Sequence, residues 1–452
     1  MFRVCVMVLF TICSPVAVRA MNCNQAMPAA VSFVRLPGEP FTSIASRDGC
    51  WLFTSLTHSL IGTAPGVAVL SRHDGRIALE RVAPLSGLPS GMTLTHDGQL
   101  LIVTSVLNVA FVDVARLTGR DANPVMGYYA DKGPQAGQVY TAVTPDDRHL
   151  FVSNEWTRSI SVFDLAQIRA TNFANIAPVG TIAIGGAPVG LALSNDGRHL
   201  FAAIESMDAA GWPVRCSPEQ RSTAVPNHAE GAIVVIDMNL AITKPATAIV
   251  NTVKAGCSPV RVVAAPGGRV YVTARGSDAL LMFDEEQLTG FFGMDFLIPH
   301  VAVGPAPVGV NLIADGNQIV VANSNRFSSG SVGQSLWVID TSKVAGSGWK
   351  LGMIQAKEFP REINSTSDGR TLLITNAMGH ALEVVDLVRS PWLQAAPEAA
   401  QSNGAASASP ANQGDSNLLG RFRMDPRPLT AVCKRKARDD SEYQHCRKNR
   451  LA

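Results

Sequence analysis

The sequence predicts an all-β fold, a seven-bladed β-propeller whose ring is closed by an N-terminal strand completing the last blade. Three observations carry this. A Pro-x-Gly opening, an apolar run and an Asp-Gly turn recur at spacings near fifty residues. The composition, 46% hydrophobic and 16% charged with Gly 38 and Pro 27, suits many short buried strands and tight turns better than solvated helices. The last repeat is one strand short, and a spare strand precedes the first.

Taken in order, residues 1–20 read as an export signal. Arg3 supplies the positive start, residues 4–12 the apolar segment, and Val18-Arg19-Ala20 a small-residue cleavage site. Ile12 precedes Cys13 where lipid attachment would want a small residue. No later segment holds about 18 uninterrupted apolar residues, so no transmembrane segment is expected in the mature chain. The expected location is periplasmic or extracellular.

The turns fall at Asp48-Gly49, Asp97-Gly98, Asp146-Asp147, Asp196-Gly197, Gly267-Gly268, Asp315-Gly316 and Asp368-Gly369. Their successive spacings are 49, 49, 50, 71, 48 and 53 residues, the long interval holding a polar insert at 206–230. After each turn comes a β-rich run, such as 100–104, 149–153, 270–273, 319–322 and 371–375. A third run closes at Asp113, Asp164, Asp237, Asp284, Asp340 or Asp386, and a weaker fourth follows, as at 181–184. Four short strands per repeat of about fifty residues make a propeller blade, and seven turns make seven blades. The repeat ends near Leu387, and the spare strand at 31–36 is expected to complete blade seven and remove its open edge.

Pro-x-Gly, Asp-Gly-Arg, a run such as RVYVTARGSDALLMFD and a closing Val-Ile-Asp resemble the YVTN-repeat, YncE-like propellers of the lactonase-like superfamily. The resemblance spans residues 31–387 and implies fold more than activity, because that fold hosts unrelated functions. The domain expectation is a propeller over 21–387, a disordered linker over 388–419 rich in Ala, Ser, Asn, Gln and Pro, and a basic tail over 420–452. The tail carries ten Lys/Arg against four Asp/Glu, and with two Arg in the signal this leaves −6 on residues 21–419 of the formal +2. In an exported chain such a tail points to anionic envelope surfaces or to solvent rather than to nucleic acid.

Export also changes how the cysteines read. Six remain after the signal, which permits three disulfides among fifteen pairings. Topology favours Cys23–Cys50, where blades seven and one meet, and Cys216–Cys257, joining the insert to the loop leading into blade five. Cys433–Cys446 is left for the tail. There is no CxxCH, CxxC or HExxH motif. Neither a cofactor nor a metal is expected.

Loop length marks one face. Residues 206–230 and 325–334 lie between second and third strands, and 118–136 reads as an inter-blade connection. All three fall on the face opposite the short Asp-Gly turns, so that face is expected to bind. Trp156 and Trp212 lie there as candidate interface anchors, whereas Trp337 reads as core.

The residues six before each turn are Thr42, Gly91, Tyr140, Gly190, Arg261, Gly309 and Glu362. Glycine is the repeat's choice; Tyr140, Arg261 and Glu362 depart from it near the channel mouth. Arg361 adjoins Glu362, and Glu155, Glu205 and Arg275 follow second strands on the same face. This ring suits a polar ligand or a peptide side chain, and equally suits Arg–Glu pairs that plug the mouth. The expected role is a binding or scaffold module for a protein, peptide or envelope ligand. The alternative is a lactonase-like hydrolase at the channel mouth, for which Glu155, Glu205 and Glu362 are the candidate acids. Arg261 and Arg275 among them disfavour a bound cation.

Overall fold

In the computed structural model the chain is described over residues 23–390, apart from 24, 60–63, 131–134, 210–211, 213–214, 217–229, 291–298, 328–333 and 345–346. The signal, nearly all of the linker, the tail with Cys433–Cys446, and most of the insert and of the blade-six loop therefore lie outside the described residues. Seven four-stranded antiparallel sheets form the ring. Their inner strands are Gly38–Ala45, Pro89–Leu94, Gln138–Val143, Gly186–Leu193, Pro259–Ala265, Pro307–Ile313 and Pro360–Ser365. Second and third strands are apolar on both faces because each sheet is covered on both sides by its neighbours. Leu100–Ser105 is buried at every position. Seven apolar clusters result, one in each seam between blades. Phe151 and Val162 of blade three, for example, pack with Leu200 and Val234 of blade four.

The turns repeat one hydrogen-bond pattern in blades one, two, three, four and seven. In blade two, Thr95 donates to Asp97 at 2.6 Å, and both side chains then accept strand amides, from Leu100 at 3.1 Å and Gln99 at 3.0 Å. Asp147 stands where the other turns have glycine, at φ 56°. Aspartate tolerates this left-handed backbone, and its carboxylate accepts the amides of His96 at 2.8 Å and Asp97 at 2.9 Å from blade two. The aspartates that close third strands have a further role the repeat did not reveal. Asp113, Asp164 and Asp237 cap one-turn helices, Val114–Thr118, Leu165–Ala170 and Met238–Thr243, by accepting the third amide beyond.

Two expectations are corrected. Residues 118–136 are not one inter-blade loop, because Val125–Tyr129 is the outer strand of blade two. The segment before that strand lies on the turn face, and the strand ends at Tyr129 toward the elaborated face. Cys257 ends the outer strand Ile249–Cys257 of blade four instead of lying in a connection. The Cys216–Cys257 disulfide therefore ties the insert to its own blade.

The ring closes through the N-terminal strand. Val31–Arg35 pairs with the third strand of blade seven, from Val31 opposite Val385 to Arg35 opposite Ala381. Three further contacts gather nearby on the turn face. The Met27 amide donates to Asp386 Oδ2 at 3.0 Å, buried Arg72 donates to Thr371 Oγ1 at 3.0 Å, and Cys23 is bonded to Cys50. Around the axis, second-strand hydroxyls stitch five of the seven blades to the next. Ser55 donates to Ser90 O (2.6 Å), Thr104 to Val139 O (2.8 Å), Ser153 to Val189 O (2.9 Å), Thr273 to Val308 O (2.8 Å) and Thr375 to Phe41 O (2.8 Å).

Thr375 also accepts the Glu362 amide at 3.1 Å. Thr375→Val keeps the shape but leaves a buried N–H and a buried C=O unpaired, with an expected cost of about 1–3 kcal/mol in denaturant unfolding. A loss within the error of the fit would remove the stitch as a stabilising element. A second expectation concerns Glu383, fully buried in blade seven with Asn376 donating to it at 3.0 Å. Burial raises its carboxyl to about 7. The folded state therefore binds the extra proton between the unfolded carboxylate range and pH 7, and stability falls as pH rises through that window. Glu383→Gln should leave the thermal midpoint unchanged at pH 4.5 and raise it at pH 8. Equal midpoints at both pH values would show that Glu383 does not titrate in this way.

Candidate functional site

The site is built on a steric alternation. Tyr140, Arg261 and Glu362 are each the third residue of their inner strands, in blades three, five and seven. The preceding blades two, four and six carry glycine at the same level. A Cβ on Gly91 would lie 2.2 Å from Val139 O, on Gly190 2.8 Å from Val260 O, and on Gly309 2.9 Å from Arg361 O. Each glycine admits the following inner strand at close range, and that strand carries the long side chain.

Those three side chains meet across the axis. The Tyr140 hydroxyl and Arg261 Nε both donate to Glu362 Oε1. The Arg261 guanidinium lies 4.2 Å from the Tyr140 ring centre and donates from Nη1 to Val260 O at 2.8 Å. Blades three, five and seven are not neighbours in a ring of seven, so these contacts occupy the axial space itself. Burial opposes charge on Arg261, yet Glu362 and Tyr140 hold its pKa raised. Burial keeps the Tyr140 hydroxyl far above its ordinary range, so it stays protonated and donates.

A second layer lies nearer the elaborated face. Buried Arg275, just past the second strand of blade five, pairs with Glu205 of blade four. Glu155 stands at the corresponding place in blade three. Burial and the Glu205 charge push its carboxyl up to about 7, against the pull of Arg275, Arg361 and Arg326. Arg361 packs on Phe41, 3.6 Å from the ring centre, and on Phe359 at 5.5 Å. Arg326, which sequence reasoning missed because it sits in an irregular loop, lies 5.0 Å from the Phe359 ring and 5.2 Å from Phe327. Burial and neighbouring guanidiniums lower Arg326 to about 9, and burial lowers Arg361 to about 10. Both remain cations at neutral pH.

Among the described residues these two arginines make no ion pair and no hydrogen bond, and Nε of Arg361 is buried without a partner. Phe41 and Phe359 were also missed, since an aromatic in a propeller repeat reads as core. Trp156 does not stand free as an anchor. Its ring covers Gly137, where an added Cβ would meet it at 2.6 Å. Trp212 donates to Glu230 O at 2.9 Å and packs on the seam between blades three and four. Trp337 lies in a third strand against Trp349, ring centres 5.9 Å apart.

Comparison with known proteins adds a fold and nothing narrower. No family model and no curated protein matches the chain. Among solved structures, Kuenenia stuttgartiensis hydrazine synthase matches at 15% identity with a TM-score of 0.56, over 78% of this chain and 97% of that one. The β-propeller domain of Myceliophteria thermophila Cps50 (Swd1) matches at 11% identity with a TM-score of 0.53, over 78% of this chain and 98% of that one. At such identities the likeness is one of architecture.

Buried charge pairs of this kind have a defined mutational signature. Glu362→Ala strands the Arg261 cation and removes the acceptor of the Tyr140 hydroxyl, with an expected loss of about 3–5 kcal/mol. The double replacement Arg261→Met with Glu362→Leu should cost less than Glu362→Ala alone. Additive costs, read by chemical denaturation, would show that the two side chains are not coupled across the axis.

Proposed function

We propose that the protein is an exported binding or scaffold module whose elaborated face engages a protein or peptide of the cell envelope. One observation carries this reading. The axis, where a channel-mouth hydrolase would need open acids, is occupied by the protein's own Tyr140–Glu362–Arg261 contacts. The described residues that bound the long connections, Met207, Glu230, Asn325 and Gln334, lie at or next to the strand ends nearest these side chains, and Cys216 is bonded to Cys257. Export is supported by the bonded cysteines, which persist in oxidising compartments, together with the signal-like N-terminus. No helix of the described residues is long and apolar enough to cross a membrane.

The YVTN-like, lactonase-type resemblance belongs to this reading only as a relation of repeat and fold. A hydrolase would require converging oxygen ligands or a free acid–base pair, and here two of the three candidate acids, Glu205 and Glu362, are paired with arginine. The test is a capture experiment from envelope extract with full-length protein. Replacing residues 217–229 by a short Gly-Ser connection keeps the Cys216–Cys257 bond. This variant should lose the captured partners while its thermal midpoint stays that of the wild type. An unchanged partner set would overturn the assignment of the binding face.

A further inference from the structure

The second layer at the channel mouth is unbalanced in charge and in hydrogen bonding. Among the described residues of the two layers four guanidiniums, Arg261, Arg275, Arg326 and Arg361, face three carboxylates, Glu155, Glu205 and Glu362. With every group ionised, one positive charge is left over. Glu362 and Glu205 are taken by Arg261 and Arg275. The surplus therefore sits on Arg326 and Arg361. These two are positioned without being neutralised. Arg275 and Arg326 lie 5.4 and 5.2 Å from the Phe327 ring centre, Arg326 and Arg361 lie 5.0 and 5.5 Å from that of Phe359, and Arg361 lies 3.6 Å from that of Phe41. Stacking orients a guanidinium plane and leaves its N–H edge open to an acceptor.

The backbone also bears the cost of this arrangement. Phe359 holds φ 54° at the residue before the inner strand, where blade three has Gly137 at φ 68° and blade six Ala306 at φ 49°. A bulky side chain in that conformation is strained by roughly 1–3 kcal/mol. What it provides is the ring on which both unpaired arginines rest.

We infer that the mouth of the axial channel is a carboxylate-binding subsite, in which Arg326 and Arg361 take the acidic side chain or C-terminus of a bound peptide. The inference rests on the reading of this face as the binding face. A single surplus charge flanked by Glu155 and Glu205 fits a monoanionic carboxylate better than a phosphate dianion. Planar guanidiniums stacked on aromatic rings match a carboxylate's two oxygens. Glu155 adds a pH response. It faces Glu205, Arg275, Arg326 and Arg361, and as it takes up a proton near pH 7 the surplus rises from one charge to two. Anion affinity should therefore rise as pH falls from 8 to 6.

The experiment is calorimetric titration of the full chain with N-acetylated hexaglutamate amide, its hexaglutamine counterpart, free glutarate and inorganic phosphate, at pH 6 and pH 8. Hexaglutamate should bind and hexaglutamine should not. Arg326→Ala and Arg361→Ala should each weaken binding at least about tenfold. Phe359→Ala, which Ala306 shows the backbone accepts, should weaken it too while the fold survives. Glu155→Gln should tighten binding at pH 8 and flatten the pH dependence. Glutarate binding as tightly as hexaglutamate would make the ligand a free acid and overturn the peptide part. Absence of hexaglutamate binding, indifference to both arginine variants, or phosphate outcompeting glutarate would each overturn the subsite. If the loop replacement loses its partners while the arginine variants bind normally, the subsite fails and the binding face stands. If the partners persist and binding still depends on the arginines, the assignment to the long loops fails instead.

Discussion

Around the axis seven inner strands converge at a separation that leaves no room for a side chain on every blade. Glycine at 91, 190 and 309 answers that crowding, since a Cβ at each would lie within 3 Å of the next strand's carbonyl oxygen. Close approach also places second-strand hydroxyls against the next blade's backbone, and five seams use them as stitches. Blades four and six carry Ala203 and Ala322 at the equivalent place, opposite Gly190 and Gly309 of their own inner strands, and lack a hydroxyl for the stitch. Packing geometry therefore decides which blades can send a long side chain inward. Tyr140, Arg261 and Glu362 are the result, spaced two blades apart and near enough to meet.

The meeting has electrostatic consequences. In a low-dielectric interior a paired charge is tolerated and an unpaired one is costly. The deep layer satisfies this rule through shared contacts on Glu362. The outer layer does so only in part, through Arg275 with Glu205. Arg326 and Arg361 lie against aromatic rings and make no ion pair among the described residues, and their lowered pKa values reflect burial and, for Arg326, repulsion by Arg275 and Arg361. Glu155 shows the complementary displacement, upward, from burial and its acidic neighbour. The opposed shifts share one cause, the burial of charged groups of both signs at one mouth.

Closure of the ring depends on contacts far apart in sequence. Strand Val31–Arg35 and the Met27 amide on Asp386 seat the leader on the last blade, Arg72 on Thr371 joins the first blade to the last, and the Cys23–Cys50 bond ties the leader to the first blade. A propeller held by a single velcro-like strand would fray at that seam. Here a covalent bond and a buried guanidinium reinforce it, on the face away from the long loops.

Much of this was legible in the residues because the repeat is periodic. The Asp-Gly turns set the blade count, the missing last strand located the closing one, and alignment on the turn placed Tyr140, Arg261 and Glu362 at one level. Loop topology brought Cys23 to Cys50, and it paired Cys216 with Cys257 while misplacing Cys257, which ends a strand of the insert's own blade. Local pattern could not show which charges pair, because pairing across the axis depends on the positions of non-neighbouring blades. It also misjudged 118–136, since the strand at 125–129 has too weak an alternation to stand out beside a polar loop. Arg326, Phe41 and Phe359 had no periodic signal, lying in a loop, at an ordinary core position and before a proline. The amino-acid sequence by itself determined the number of blades, the closing strand and the level of the axial residues, because each follows from spacing along the chain. Only the tertiary structure decided that Glu362 is shared by Tyr140 and Arg261 while Arg326 and Arg361 make no ion pair among the described residues, because that depends on distances across the ring.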